Sequence, residues 1–233
     1  MTIVIAKGFC PVAISLYKSS LRGSVGAVAI STALTRITIM NVYDFDETIY
    51  HGDSTRHFFF WCFRHHPKTL LYIPLFEYAT LRYYAFHIGT KTEFKERMYQ
   101  FLKAIDGEED VKRFWREKIG GIKEFYQKTH RDDDVIISAS PEFLLKPLEE
   151  KLHITVIASK VDIRTGKYDG LNCYHAEKVK RFRELYPDGH IESFYSDSYS
   201  DEPLALLADK AYIVKGEELN DWDFNQHKKN LRT

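Results

Sequence analysis

The spacing of hydrophobic positions changes along the chain. From Ile39 to Phe45 the run IMNVYDF is apolar, β-branched and aromatic and ends in acids, which predicts a buried strand. The polar turn His51-Gly52-Asp53-Ser54 follows, with Ser54 or Thr55 placed to cap a helix. Over residues 55–130 apolar positions recur at three- and four-residue spacing, with breaks at Pro67, Pro74 and Gly89, so this stretch is expected to be all helical. Strand texture returns at 134–139 (DVIISA), and a helix is expected to open at Pro141 and run to about Leu152. ITVIA (154–158) reads as a strand and DIRTGKYDG (162–170) as a short hairpin around Thr165-Gly166. A helix from His175 to Tyr186, a strand from Ile191 to Ser196, a helix from Glu202 to Ala208 and a strand AYIV (211–214) follow. Strands alternating with helices predict an α/β fold, a doubly wound parallel sheet whose site lies at the carboxyl ends of its strands. The 55–130 block is then an insertion over that edge.

Composition narrows the function classes. At 233 residues, 44% hydrophobic and 28% charged, the chain suits one domain or a core carrying one insertion. A formal net charge of +0 gives no global field for polyanions, so nucleic acid is not an expected partner. Three cysteines without a CxxC pair exclude a disulfide scaffold and a Cys-based zinc site, and fit a reducing, cytoplasmic setting. No run approaches the roughly 18 to 20 apolar residues of a membrane-spanning helix.

Residues 1–39 hold four basic side chains and no acid, leaving 29 basic against 33 acidic residues in 40–233. They read as a signal peptide with Ala27-Val28-Ala29 as its cleavage site, as an organellar presequence, or as an extension upstream of a start at Met40. On any of these readings the segment is expected to be dispensable. The stretch after Lys215 is polar and is expected to be loosely held. The aromatic run from His57 to Phe63, with Tyr72, Phe76, Tyr78, Tyr83, Tyr84 and Phe86, is expected to face a packed helical interior.

Candidate chemistry gathers at the strand ends. Asp44 and Asp46 lie two apart after the first strand and leave toward one mouth, where two carboxylates persist if a divalent cation neutralises them or one keeps a proton. With Thr48 they form a D-x-D-x-T pattern. Ser138 closes DVIIS and offers a hydroxyl, beside backbone N–H groups at a helix start, to phosphate oxygens. Lys178 opens a helix, where a cation offsets phosphoryl charge. Asp197 and Asp201 flank small residues after the strand IESFYS, a pattern that suits Mg²⁺, which prefers hard oxygen ligands.

In this order the motifs resemble the haloacid dehalogenase superfamily, in particular its phosphoserine-phosphatase-like subfamily, whose helical cap is inserted after the first strand. The resemblance covers about residues 40–215. It implies an α/β core from 40–54 and 131–215, a helical cap at 55–130 and a C-terminal tail at 216–233. Asp44 is then the nucleophile that forms an aspartyl-phosphate, and Asp46 the general acid and later base. Asp44, Asp197 and the backbone carbonyl of Asp46 become Mg²⁺ ligands. Ser138 and Lys178 bind the phosphoryl group, Asp201 orients Lys178 or bound water, and Thr48 supports the loop.

The implied reaction is Mg²⁺-dependent hydrolysis of a small organic phosphomonoester. A phosphotransferase or phosphomutase using the same intermediate, and a non-catalytic phospho-ligand or membrane-surface module on the same fold, are the alternatives. Ser138-Ala139-Ser140-Pro141 departs from the subfamily's Ser-Gly-Gly, and Ser200 stands in place of its Asn. Asp53 matches the cap acid and Arg97 offers a shifted cap cation for substrate selection. The apolar cap predicts that phosphoserine is a poor substrate and that the preferred ester carries an apolar or cationic organic group.

Overall fold

A computed structural model describes residues 38–225, so residues 1–37 of the N-terminal extension lie outside the described residues. Six strands form one sheet in the order β3-β2-β1-β4-β5-β6. They are β1 (Ile39–Tyr43), β2 (Val135–Pro141), β3 (Thr155–Ser159), β4 (His190–Ser196), β5 (Ala208–Lys215) and β6 (Glu218–Asp221). β1 to β5 pair in parallel and β6 adds antiparallel to β5. The chain winds from β1 through β2 to β3, then returns to β4 on the other side of β1. Connections diverge at β1 and β4, which opens a crevice at their carboxyl ends.

β1, β2 and β3 bury both faces, hence their largely apolar sequences, whereas the edge strand β6 is exposed at every position. Met40, Val42, Val135 and Ile137 pack with Phe182 and Leu204 in one core, whereas Tyr43 and Ile136 pack with Phe58, Phe114 and Leu144 in the other. The alternation of side chains along β1 and β2 sorts them between these layers. The first layer is covered by α8 (Ala176–Leu185) and α9 (Glu202–Ala205), and the second by α6 (Glu142–Leu145), α7 (Pro147–Leu152) and part of the β1–β2 insertion.

That insertion carries α1 (Ser54–His65), α2 (Ile73–Thr80), α3 (Lys91–Met98), α4 (Gly107–Lys118) and α5 (Glu124–Thr129), joined by short 3₁₀ turns and, over Leu81–Ala85, by a wider π-helical turn. Gly52 takes φ +89° in the turn before α1, where a side chain is strained and a Cβ would stand 2.7 Å from the His57 ring. Phe58, Trp61 and Cys62 of α1 are buried at helical spacing, and Phe58 meets Phe114 edge to face at 5.3 Å. Among the described residues no helix is long and apolar enough to cross a membrane.

Three sequence expectations are corrected. The helix from Pro141 to Leu152 is two short helices, because Pro147 lacks the N–H that an uninterrupted helix needs there. The first strand opens at Ile39 as expected: Ile39 pairs with His190, whose N–H donates to the Thr38 carbonyl at 2.9 Å. The polar tail is held through residue 222, since β6 pairs with β5 and Trp222 packs against Phe194 at 5.9 Å. The aromatic run divides: Phe58, Trp61 and Phe76 are buried, but Phe60, Tyr78, Tyr84 and Phe86 are exposed.

Candidate active site

Asp44 follows β1 with the side-chain parity of Met40 and Val42, which directs it to the layer containing α8. Its N–H extends the ladder by donating to the Tyr195 carbonyl at 2.8 Å. Lys178, in the first turn of α8 and one turn before the buried Phe182, donates from Nζ to Asp44 Oδ1 at 2.8 Å and to Asp201 Oδ2 at 2.7 Å. Ser196 Oγ donates to the same Asp201 oxygen at 2.9 Å. Residues from two strand ends and one helix start therefore meet at the β1/β4 crevice.

Burial sets the protonation of this group. It pushes the Asp44 carboxyl up, against the Lys178 ammonium, with Asp201 adding repulsion. Burial opposes the Lys178 charge as well, but Asp44 and Asp201 together outweigh it and raise that pKa. Asp197 stands at the exposed rim, where surrounding protein and the Asp201 charge raise its carboxyl. The buried Thr48 ties this rim to the first loop: its Oγ1 accepts the Asp197 N–H at 2.9 Å and lies 3.5 Å from Asp197 Oδ1.

Asp46 leaves toward the same mouth but takes different partners. The Ile49 and Tyr50 N–H groups fold back on the Phe45 carbonyl, and Glu47 adopts φ +56°, which turns the chain sharply after Asp46. Asp46 Oδ1 accepts the Ser54 N–H at 2.6 Å and Oδ2 accepts the Ser140 hydroxyl. Ser140 also lies 2.9 Å from Thr55 Oγ1. Burial pushes Asp46 up to about 6, even though both hydrogen bonds favour the anion. The buried Lys123 donates to the carbonyls of Glu47 and Gly216 and so fastens this loop to the β5–β6 turn.

Ser138 is buried within β2 rather than at a helix start, because β2 continues to Pro141 with a register slip against β3 after Ile137. Its Oγ accepts the Ser140 N–H at 3.0 Å, leaving the hydroxyl hydrogen to donate. Asp53 caps α1 through the Arg56 N–H at 2.8 Å and also lines a cavity of about 370 Å³ with Phe59, Phe94, Lys95 and Tyr99. Arg97 is not brought to that cavity. It stacks over Tyr78 at 6.0 Å and lines a separate cleft with Glu93 and Lys167.

Lys95, not Arg97, lines the cavity beside Asp53. Its Nζ donates to Asn172 Oδ1 at 3.0 Å and to the Ala139 carbonyl at 3.4 Å. Burial and Lys91 lower it to about 8, against Asp53 and Asp46. Sequence reading missed both Lys95 and Ser140 as site residues. The Ser140 signal was its place two residues after Ser138. Lys95 carries no signal that separates it from an ordinary basic residue on a helix.

Among the described residues no group of three His, Cys, Asp or Glu side chains converges on one metal position. A cation set would therefore comprise the Asp44 and Asp197 carboxylates with the Asp46 main-chain carbonyl. These are hard oxygens, they leave room for the several waters Mg²⁺ retains, and the acids around them outnumber Lys178. The donor chemistry fits Mg²⁺.

A doubly wound sheet with an acid after β1, a buried lysine reaching it from a later helix and acids after β4 defines a hydrolase of the haloacid dehalogenase class. The chain belongs to that family: the family model for haloacid dehalogenase-like hydrolase matches residues 42–206. Protein CicA of Caulobacter vibrioides is 35% identical over 88 residues, and the chain spans 40% of that relative's length and matches it over 34% of its own. A Bordetella pertussis Tohama I protein of unknown function shares the fold at TM-score 0.60 and 20% identity, over 75% of this chain and 89% of that one. A phosphoserine phosphohydrolase-like protein from Francisella tularensis aligns at TM-score 0.48 and 17% identity, over 84% of this chain and 92% of that one.

Proposed function

We propose that this hydrolase cleaves a small organic phosphomonoester through an aspartyl-phosphate on Asp44, with Mg²⁺ as cofactor. The observation that carries this reading is the Lys178 bridge between Asp44 and Asp201 beside a second, separately held carboxylate, Asp46.

Asp44 Oδ attacks phosphorus in line with the ester oxygen, the P–O(ester) bond breaks, and Asp46 delivers its proton to the leaving alcohol. Asp46 then takes a proton from water, which attacks phosphorus and releases phosphate and the Asp44 carboxylate. Lys178 and the Ser138 hydroxyl hold transferring phosphoryl oxygens, and Asp201 keeps Lys178 charged and aimed. Asp44, Asp197 and the Asp46 carbonyl would hold Mg²⁺, which would supply the positive charge that lets a carboxylate approach an anionic phosphate. The pKa of Asp46, at about 6, suits both donation and acceptance near neutrality.

Phe59, Phe60, Phe94, Met98 and Tyr99 around the cavity beside Asp53 and Lys95 support an ester with an apolar portion over phosphoserine. The buried thiols Cys62 and Cys173, both unpaired, support a reducing, cytoplasmic setting. The test is hydrolysis of an aryl phosphate with Mg²⁺, expected to stop in EDTA and in Asp44→Asn. Full turnover in EDTA, or in Asp44→Asn, rejects the reading. In a panel of phosphoserine, phosphocholine, phosphoethanolamine, sugar phosphates and nucleotides, phosphoserine is expected to rank low in kcat/KM; a first rank there rejects the substrate preference alone.

A further inference from the structure

Eight of the sixteen exposed large hydrophobic side chains of the described residues fall between Leu70 and Ile88, within 19 consecutive positions. The cause lies in the faces of α2 and the turn that continues it over Leu81–Ala85. Phe76 and Ala79 point inward and are buried. Tyr78, Leu81 and Tyr84, three residues apart on the opposite face, point outward, and Tyr84 is 61% exposed. Leu71 before α2, 80% exposed, and Phe86 and Ile88 after the turn extend the same apolar surface. Isolated exposed hydrophobes need no explanation, but a run of them on one segment marks an interaction surface.

Charge distinguishes the occupants. The 70–88 segment holds Arg82 and Glu77 and is flanked by Lys68 and Lys91, so residues 68–91 carry three cations against one acid in a chain whose formal net charge is zero. Lys68 and Lys91 are exposed, while Arg82 is partly offset by Glu93 at 3.9 Å. A two-fold contact with a second copy would set the flanking cations Lys68 and Lys91 against their own copies. An anionic bilayer complements both features: the apolar and aromatic side chains enter the headgroup boundary and the cations meet lipid phosphates. The helix is far too short to span a bilayer, so the contact is peripheral.

We propose that the 70–88 face docks the enzyme on the surface of an anionic lipid bilayer. The full chain is tested by flotation with vesicles of phosphatidylcholine alone and of phosphatidylcholine with phosphatidylglycerol. Binding is expected on the anionic vesicles, about tenfold weaker on the neutral ones, and reduced by about 0.5 M salt. Leu71→Asp with Leu81→Asp, both outward-facing, should keep the parental Tm and lose about tenfold in vesicle binding. The proposal is overturned if the parent does not float with anionic vesicles, or if the folded double variant binds as the parent does. It is also overturned if the parent forms a dimer that the variant dissolves while neither binds vesicles.

Discussion

Asp201 Oδ2 stands 2.7 Å from Lys178 Nζ, both side chains buried, so the lysine that reaches Asp44 is itself held by a carboxylate 23 residues further on. Removing Asp201 leaves Lys178 paired with Asp44 but takes one charge-assisted hydrogen bond from a buried ammonium, at a cost of roughly 1.5–3 kcal/mol. Asp201→Ala is expected to lower unfolding stability by about that amount, whereas Glu184→Ala, at an exposed pair with Lys180, changes it by under about 1 kcal/mol. Urea unfolding of the two variants checks this, and equal losses would reject the role given to Asp201.

The Ser140 hydroxyl on Asp46 favours the carboxylate form and counteracts burial. Hydrogen bonds to charged groups contribute about 1.5–3 kcal/mol, so Ser140→Ala should raise the Asp46 pKa by roughly one unit or more. Carboxyl-carbon NMR titration of the metal-free protein reads this directly. If Asp46 is the general acid, hydrolysis of an ester with a poor leaving group should retain its rate to correspondingly higher pH in the variant. Asp46→Asn should lose that activity altogether.

Asp134 offers a pH test away from the site. Burial pushes it up to about 6, above the ordinary carboxylate value, although its Oδ2 accepts the Arg131 N–H at 2.9 Å. The native state then holds a proton that the unfolded chain has released, so stability is greatest below about pH 4 as far as this group is concerned and falls as pH rises through about 6. The loss amounts to about 3 kcal/mol. Asp134→Asn should remove this slope and gain stability at pH 8 relative to the parent; a parallel pair of stability–pH curves would show that Asp134 contributes nothing.

A chain beginning at Met40 is expected to fold and keep its hydrolytic activity, with a modest loss of Tm. The loss follows from the Ile39–His190 pairing and the hydrogen bond from His190 to the Thr38 carbonyl, each net contribution being about 1 kcal/mol. Differential scanning calorimetry and an aryl phosphate assay check it. An insoluble product would show that residues 1–39 are needed.

What the sequence determined by itself was whatever depends on local chemistry and order along the chain. The apolar runs at 39–43, 135–141 and 190–196 had to be buried strands, and acids or hydroxyls closing such runs had to lie at one edge of a parallel sheet. Hence Asp44, Lys178 and Asp201 were legible as a group before their contacts were known. Tertiary structure alone decided which partner each group takes, because those contacts join residues 94 to 134 positions apart: Ser140 on Asp46 and Lys178 on Asp44. It likewise decided that Lys95 rather than Arg97 faces the cavity, since helical periodicity orders the faces of α3 but not which neighbour each face meets. It also decided that the polar 218–221 segment is a strand, for its order comes from the open edge of β5 and the burial of Trp222 rather than from its own side chains.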